Sequence, residues 1–72
     1  MQLEELINRH RQQLGDTDMA IVKYILKNRR EVQHISIHKL AQVCAVSSTT
    51  IVRFAQKLGF DGFGELKTRL KM

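Results

Sequence analysis

The apolar positions of this chain recur at helical spacing, and nowhere do they alternate strictly with polar ones as a half-buried strand requires. Leu3, Leu6, Ile7, His10 and Leu14 fall at i, i+3, i+4, i+7 and i+11, a single stripe along an otherwise polar first helix. Gly15-Asp16-Thr17-Asp18 breaks the stripe and offers small or acidic residues suited to the positive end of a following helix. That second helix, over about residues 16–29, is apolar around most of its circumference through Ile21, Val22, Tyr24, Ile25 and Leu26. Lys23, Lys27 and Arg30 share the remaining side, so this helix is expected at the centre of the core.

Ser36, ahead of Ile37-His38-Lys39-Leu40-Ala41, is placed to cap a short third helix ending near Val43 or Cys44. Ser47 is the next cap, so little chain separates the third helix from the fourth that the two must cross steeply, as in a helix-turn-helix. Gly59 is expected to stop the fourth helix in the left-handed conformation, with Phe60 making the accompanying apolar contact. A last helix over residues 63–71 carries Phe63, Leu66 and Leu70 on one face and Lys67, Arg69 and Lys71 elsewhere. The architecture expected is all-α, a small bundle of five helices that contains a helix-turn-helix and has no wing strands.

Composition narrows the function classes. A chain of 72 residues forms one domain at most and leaves little room for a deep pocket. No apolar run is long enough to cross a membrane and no leader pattern opens the chain, so a cytoplasmic protein is expected. The single cysteine, Cys44, has no internal partner for a disulfide, which suits a reducing compartment. The net charge of +5 is unevenly spread. Residues 1–36 hold six basic and five acidic side chains, whereas residues 37–72 hold six basic against two acidic. The excess therefore sits in the half that contains the helix-turn-helix, as phosphate binding requires.

Within that half, residues 48–58 wound at about 100° per residue divide into two arcs. Ile51, Phe54, Ala55 and Leu58 form the buried arc with Thr50 at its margin; Ser48, Thr49, Val52, Arg53, Gln56 and Lys57 form the other. The second arc fits a major groove. Ser47 and Ser48 are short and carry hydroxyls beside the free amides of a helix N-terminus, which suits phosphate oxygens. Thr49 can reach base edges through its hydroxyl or its methyl, and Arg53, one turn further on, can make a forked contact with guanine or phosphate. Lys57 and Lys39 would add attraction independent of sequence, as would Lys67, Arg69 and Lys71. The candidate DNA-binding set is thus Lys39, Ser47, Ser48, Thr49, Val52, Arg53, Gln56 and Lys57, with double-stranded DNA as partner.

Other chemistries find less support. His34, His38 and Cys44 are near in sequence, but a helix start at Ser36 separates the two histidines, and Cys44 reads more simply as a small core residue. No nucleophile, base and acid fall into a catalytic pattern, so neither an enzyme nor a cofactor or metal is expected. The alternative to DNA binding is a helical protein-interaction module that presents the stripes of the first and last helices to a partner. The two are compatible, because Leu3, Leu6, Ile7 and Leu14 could pair two copies as a homodimer and set half-site spacing.

The segments Tyr24-Ile25-Leu26-Lys27-Asn28, Ile35-Ser36-Ile37-His38-Lys39-Leu40-Ala41, Val46-Ser47-Ser48-Thr49-Thr50-Ile51-Val52-Arg53-Phe54, Lys57-Leu58-Gly59-Phe60-Asp61-Gly62-Phe63 and Glu65-Leu66-Lys67 together resemble the N-terminal domain of RpiR-type bacterial transcriptional regulators. The resemblance implies a helical DNA-binding domain that precedes a sugar-isomerase-type (SIS) phosphosugar-binding domain. A phosphosugar effector bound there, outside this chain, would alter operator binding and so regulate sugar or amino-sugar metabolism genes. On that reading the chain is the N-terminal part of a longer regulator. Two positions depart from the family pattern: Ala45 stands where glycine is common in the turn, and Gly15-Asp16 replaces the serine-proline that often opens the second helix. Alanine fits the turn if the backbone there is not strongly left-handed.

Overall fold

A computed structural model describes residues 2–71. It contains six α-helices: α1 Leu3–Arg9, α2 Asp16–Lys27, α3 Arg29–Val32, α4 Ile37–Val43, α5 Ser48–Lys57 and α6 Phe63–Leu70. A short 3-10 turn, Arg11–Gln13, follows α1, and the described residues form no strand. The architecture is all-helical with a helix-turn-helix, as the spacing predicts, but the helix count is six rather than five. The additional helix arises at Asn28. Its backbone leaves the α region at φ −126°, ψ 39°, and its side-chain amide donates to the carbonyl of Tyr24 at 3.0 Å, which ends α2 and lets the chain restart as α3.

The core draws on every helix. Leu3 and Ile7 from α1, Ile21, Val22 and Ile25 from α2, Val32 from α3, Leu40 and Ala41 from α4, Ile51, Phe54 and Ala55 from α5, and Phe63, Leu66 and Leu70 from α6 are buried, with Leu58 and Phe60 between the last two helices. The α2 helix is less central than its composition suggests: Leu26 is exposed and Tyr24 only half-buried, so one apolar side faces outward. The first stripe is interrupted, because α1 ends at Arg9 and Leu14 lies beyond the 3-10 turn, and it splits in burial, Leu3 and Ile7 being buried while Leu6 and Leu14 are only partly covered. Leu3 and Ile7 are thus used up inside the domain and present little surface to a second copy.

The two helices of the helix-turn-helix begin and end alike. Ser36 caps α4 by accepting from the Lys39 N–H at 3.1 Å, and Ser47 caps α5 by accepting from the Thr50 N–H at 3.1 Å. At the far end of α4 the Val46 N–H reaches back to the Ala41 carbonyl at 2.9 Å and the Ala45 N–H to that of Gln42 at 3.1 Å. At the far end of α5 the Phe60 N–H reaches Ala55 at 3.0 Å and the Gly59 N–H reaches Gln56 at 3.0 Å. Both are Schellman closures, in which the residue after the C-cap is left-handed. That residue is Gly59 at φ 94° in one and Ala45 at φ 57° in the other. The alanine therefore does occupy a left-handed turn, and α4 meets α5 through a fixed reversal.

Candidate nucleic-acid interface

The α5 helix presents two chemically distinct faces. Ile51, Phe54 and Ala55 are fully enclosed, and Leu58 just beyond the helix is 1% exposed, so these side chains fix the rotation of the helix about its own axis. That rotation puts Thr49, Arg53, Gln56 and Lys57 in solvent and leaves Ser48 and Val52 half-buried at the edge. Lys39, on α4, is exposed as well. The buried arc is the one expected from spacing.

The four hydroxyls at the start of α5 hold different positions. Ser47 is the cap, and its Oγ lies 3.0 Å from the Thr50 Oγ1 as well as accepting from the Thr50 amide. Thr50 is half-buried and completes that local network. Ser48 turns toward α4, where its Oγ lies 3.1 Å from the His38 Nδ1. Thr49 alone points freely outward, with Arg53 one turn further along the same side. Among the described residues Arg53 makes no ion pair, so its guanidinium fork is available to a ligand.

Lys57 is differently employed. Its Nζ lies 2.6 Å from the Asp18 Oδ2 on α2, and the same oxygen accepts the Gly15 N–H at 3.0 Å. The Asp18 side chain is 7% exposed and that of Lys57 42%, so the pair is buried on its acidic side and open on its basic side. Lys67, a further candidate for phosphate attraction, also has an internal duty: its Nζ donates to the Ile35 carbonyl at 2.9 Å and stands 5.2 Å over the Phe63 ring. Arg69 lies 5.8 Å over the Phe60 ring. The cations of the C-terminal half thus have in part internal partners, whereas Arg53 on the exposed arc of α5 makes no ion pair among the described residues.

A polar cleft of about 400 Å³ runs along this arc, lined by Gly15, Asp16, Thr17, Asp18, Thr50, Arg53 and Lys57. The start of α2 thus borders the exposed arc of α5. Sequence reasoning missed this neighbour, and it missed His38 as the partner of Ser48. Both are long-range facts, and the only signal for Asp18 was a carboxylate in the first turn of a helix, which reads as a dipole partner. Cys44 packs against the core beneath the turn, and burial pushes its thiol up from the ordinary value, so the thiol stays protonated. Among the described residues, no group of three or more His, Cys, Asp or Glu is placed to hold a metal ion, and no helix is long and apolar enough to cross a membrane.

Comparison with known proteins agrees with this geometry. The family described as "Helix-turn-helix domain, rpiR family" matches residues 1–72. The HTH-type transcriptional regulator GlvR of Bacillus subtilis (strain 168) is 51% identical over 71 residues, covering 99% of this chain and 28% of that protein. The uncharacterized HTH-type transcriptional regulator YfhH of Escherichia coli (strain K12) is 38% identical over 64 residues, 89% of this chain and 23% of that one. The HTH-type transcriptional regulator HexR of Pseudomonas aeruginosa (strain PAO1) is 35% identical over 68 residues, 94% and 24% respectively. The chain spans about a quarter of the length of these curated relatives.

Proposed function

Because the chain belongs to the rpiR family of helix-turn-helix domains, we propose that it is the DNA-reading part of a transcriptional regulator and binds duplex DNA by laying α5 in the major groove. The observation that carries this reading is the exposed arc of α5, where Thr49, Arg53 and Gln56 stand clear of the core on a helix whose buried side fixes their direction. Thr49 and Arg53 read base edges, with Gln56 and Val52 as flanking contacts. Ser47, Ser48 and the unpaired amides of the first turn of α5 meet the phosphates, and Lys39 meets them from α4. No enzymatic role is included.

Two finer expectations extend the reading. The regulated genes belong to sugar or amino-sugar metabolism, and effector sensing resides in a separate SIS phosphosugar-binding domain of a longer, cytoplasmic protein. Such regulators pair two copies on a two-fold operator. With Leu3 and Ile7 buried, any pairing face of the N-terminal stripe reduces to Leu6 on α1 and Leu14 beyond the 3-10 turn.

The test is binding of the domain to random-sequence duplex, and to a duplex it selects from a random pool, over a range of salt. Affinity is expected to fall steeply as salt rises. Arg53→Ala should lower affinity for the selected duplex by about 1–3 kcal/mol while changing random-duplex binding less. Equal losses on both would move Arg53 from base to phosphate. Absence of binding at low salt would favour a protein-interaction module instead.

A further inference from the structure

Asp18 is the one charged residue that is buried among the described residues, at 5% exposure. A carboxylate taken from water is costly unless it is paired and hydrogen-bonded, and Asp18 is both: a single oxygen, Oδ2, takes the Gly15 N–H at 3.0 Å and the Lys57 ammonium at 2.6 Å. Its placement favours both helices it joins. Asp18 lies in the first turn of α2, where an anion is favoured, and Lys57 is the last residue of α5, where a cation is favoured. The positive end of one helix is thereby tied to the negative end of the other across 39 positions of sequence.

The tie acts on the helix that carries the reading residues. The ten residues of α5 make a rod of about 15 Å. With its C-terminal end released, a swing of about 4° about the turn displaces that end by about 1 Å and Arg53, midway along the rod, by about 0.5 Å, comparable with the useful range of a hydrogen bond. Core side chains fix the rotation of α5 about its axis. The Asp18 link ties its far end to α2. Arg53 and Thr50 line the same cleft as the pair, so a shift there is felt directly by the side chains above it.

We propose that Asp18 and Lys57 form a positioning pair that sets the inclination of α5 against α2, and that Lys57 serves operator discrimination through this pair and not as a phosphate contact. The inference rests on the DNA-binding reading above. It also makes Asp18, an acidic residue bordering a DNA-binding face, a requirement for tight specific binding. A phosphate role for Lys57 predicts the reverse, because removing the Asp18 charge would free the ammonium for the backbone.

The experiment compares wild type, Lys57→Met, Asp18→Asn, the double variant and Lys57→Arg by fluorescence anisotropy. The probes are a random-sequence duplex and the duplex that wild type selects from a random pool, titrated across a salt series below each variant's melting temperature by circular dichroism. Asp18→Asn is the deciding arm, since it keeps the shape of the side chain and the charge of Lys57. Lys57→Met and Asp18→Asn are each expected to lose about tenfold in affinity for the selected duplex, with the double no worse than the weaker of the two, as coupled neighbours behave. The salt slope on random duplex stays at the wild-type value, and Lys57→Arg, which still reaches the carboxylate, restores selection. The proposal is overturned if Lys57→Met lowers that slope by about one, as loss of a phosphate contact does, or if Asp18→Asn binds the selected duplex as well as wild type. Failure of the wild-type domain to select any sequence overturns the DNA-binding reading itself, and so is told apart from failure of the pair.

Discussion

Ala45 holds φ 57° at the same place in its helix closure that Gly59 holds at φ 94° one helix later. The left-handed conformation costs an L-residue roughly 1–2 kcal/mol, whereas glycine adopts it freely. Replacing Ala45 by Gly returns that cost, less the roughly 0.4–1 kcal/mol by which glycine's freedom favours the unfolded chain. Ala45→Gly should therefore stabilise the domain by about 0.5–1 kcal/mol, raising the melting temperature by roughly 4–8 °C per kcal/mol for a domain of this size. A thermal melt by circular dichroism that moves down would show that alanine is not strained there. The departure from glycine was visible in the sequence, but its geometry was not, because alanine alone does not report the sign of φ. The hydroxyl run at the start of α5 was legible to a similar depth. Ser47 as cap and Thr49 as outward residue follow from spacing, whereas the turn of Ser48 toward His38 depends on a neighbouring helix ten residues earlier in the chain.

Helix caps test whether the two helices of the motif divide structure from function. Ser36 and Ser47 make the same bond at the same distance, each accepting from the N–H three residues on. Their replacement by alanine should thus cost similar stability, about 1 kcal/mol each, and additively, because the caps start different helices. Ser47→Ala should also weaken DNA binding at temperatures where both variants are fully folded, while Ser36→Ala should not; equal binding by both would remove Ser47 from the interface. These caps, the two helix ends and the buried arc of α5 were all legible, since each is set by residues within one turn of the others. The end of α2 was not. Lys27-Asn28-Arg29-Arg30-Glu31 holds neither glycine nor proline, and only the Asn28 side chain, sharing the Tyr24 carbonyl with its own N–H, marks the break. The outward position of Leu26 escaped for a related reason, as helical spacing ranks faces only by what they contain and α2 is apolar on most of them.

At the scale of the whole domain, few long-range bonds supplement a small core. Gln33 reaches the Leu70 carbonyl at 3.2 Å, Lys67 reaches that of Ile35 at 2.9 Å, Arg29 pairs with Glu4, and Lys57 pairs with Asp18. The first two tie α6 to the chain between α3 and α4, so the last helix belongs to the fold that supports the helix-turn-helix. A domain under about 80 residues draws only about 3–5 kcal/mol of stability from such a core, and Phe54, on the inner arc of α5, is the largest side chain fully enclosed in it among the described residues. Phe54→Ala should cost about 3–5 kcal/mol, which leaves folded and unfolded forms in comparable amounts near room temperature. Its loss of DNA binding would then look like the loss of a contact residue although Phe54 never meets the ligand. Mass action separates the two cases. A ligand held at 100 times its dissociation constant returns about 2.7 kcal/mol to the native state, so excess duplex should restore much of the helical signal of Phe54→Ala by circular dichroism. The same excess should leave the helicity of Arg53→Ala, already folded, unchanged. A Phe54→Ala domain that melts as wild type does would contradict its burial, and one that excess DNA cannot refold would place the defect in binding rather than in the fold.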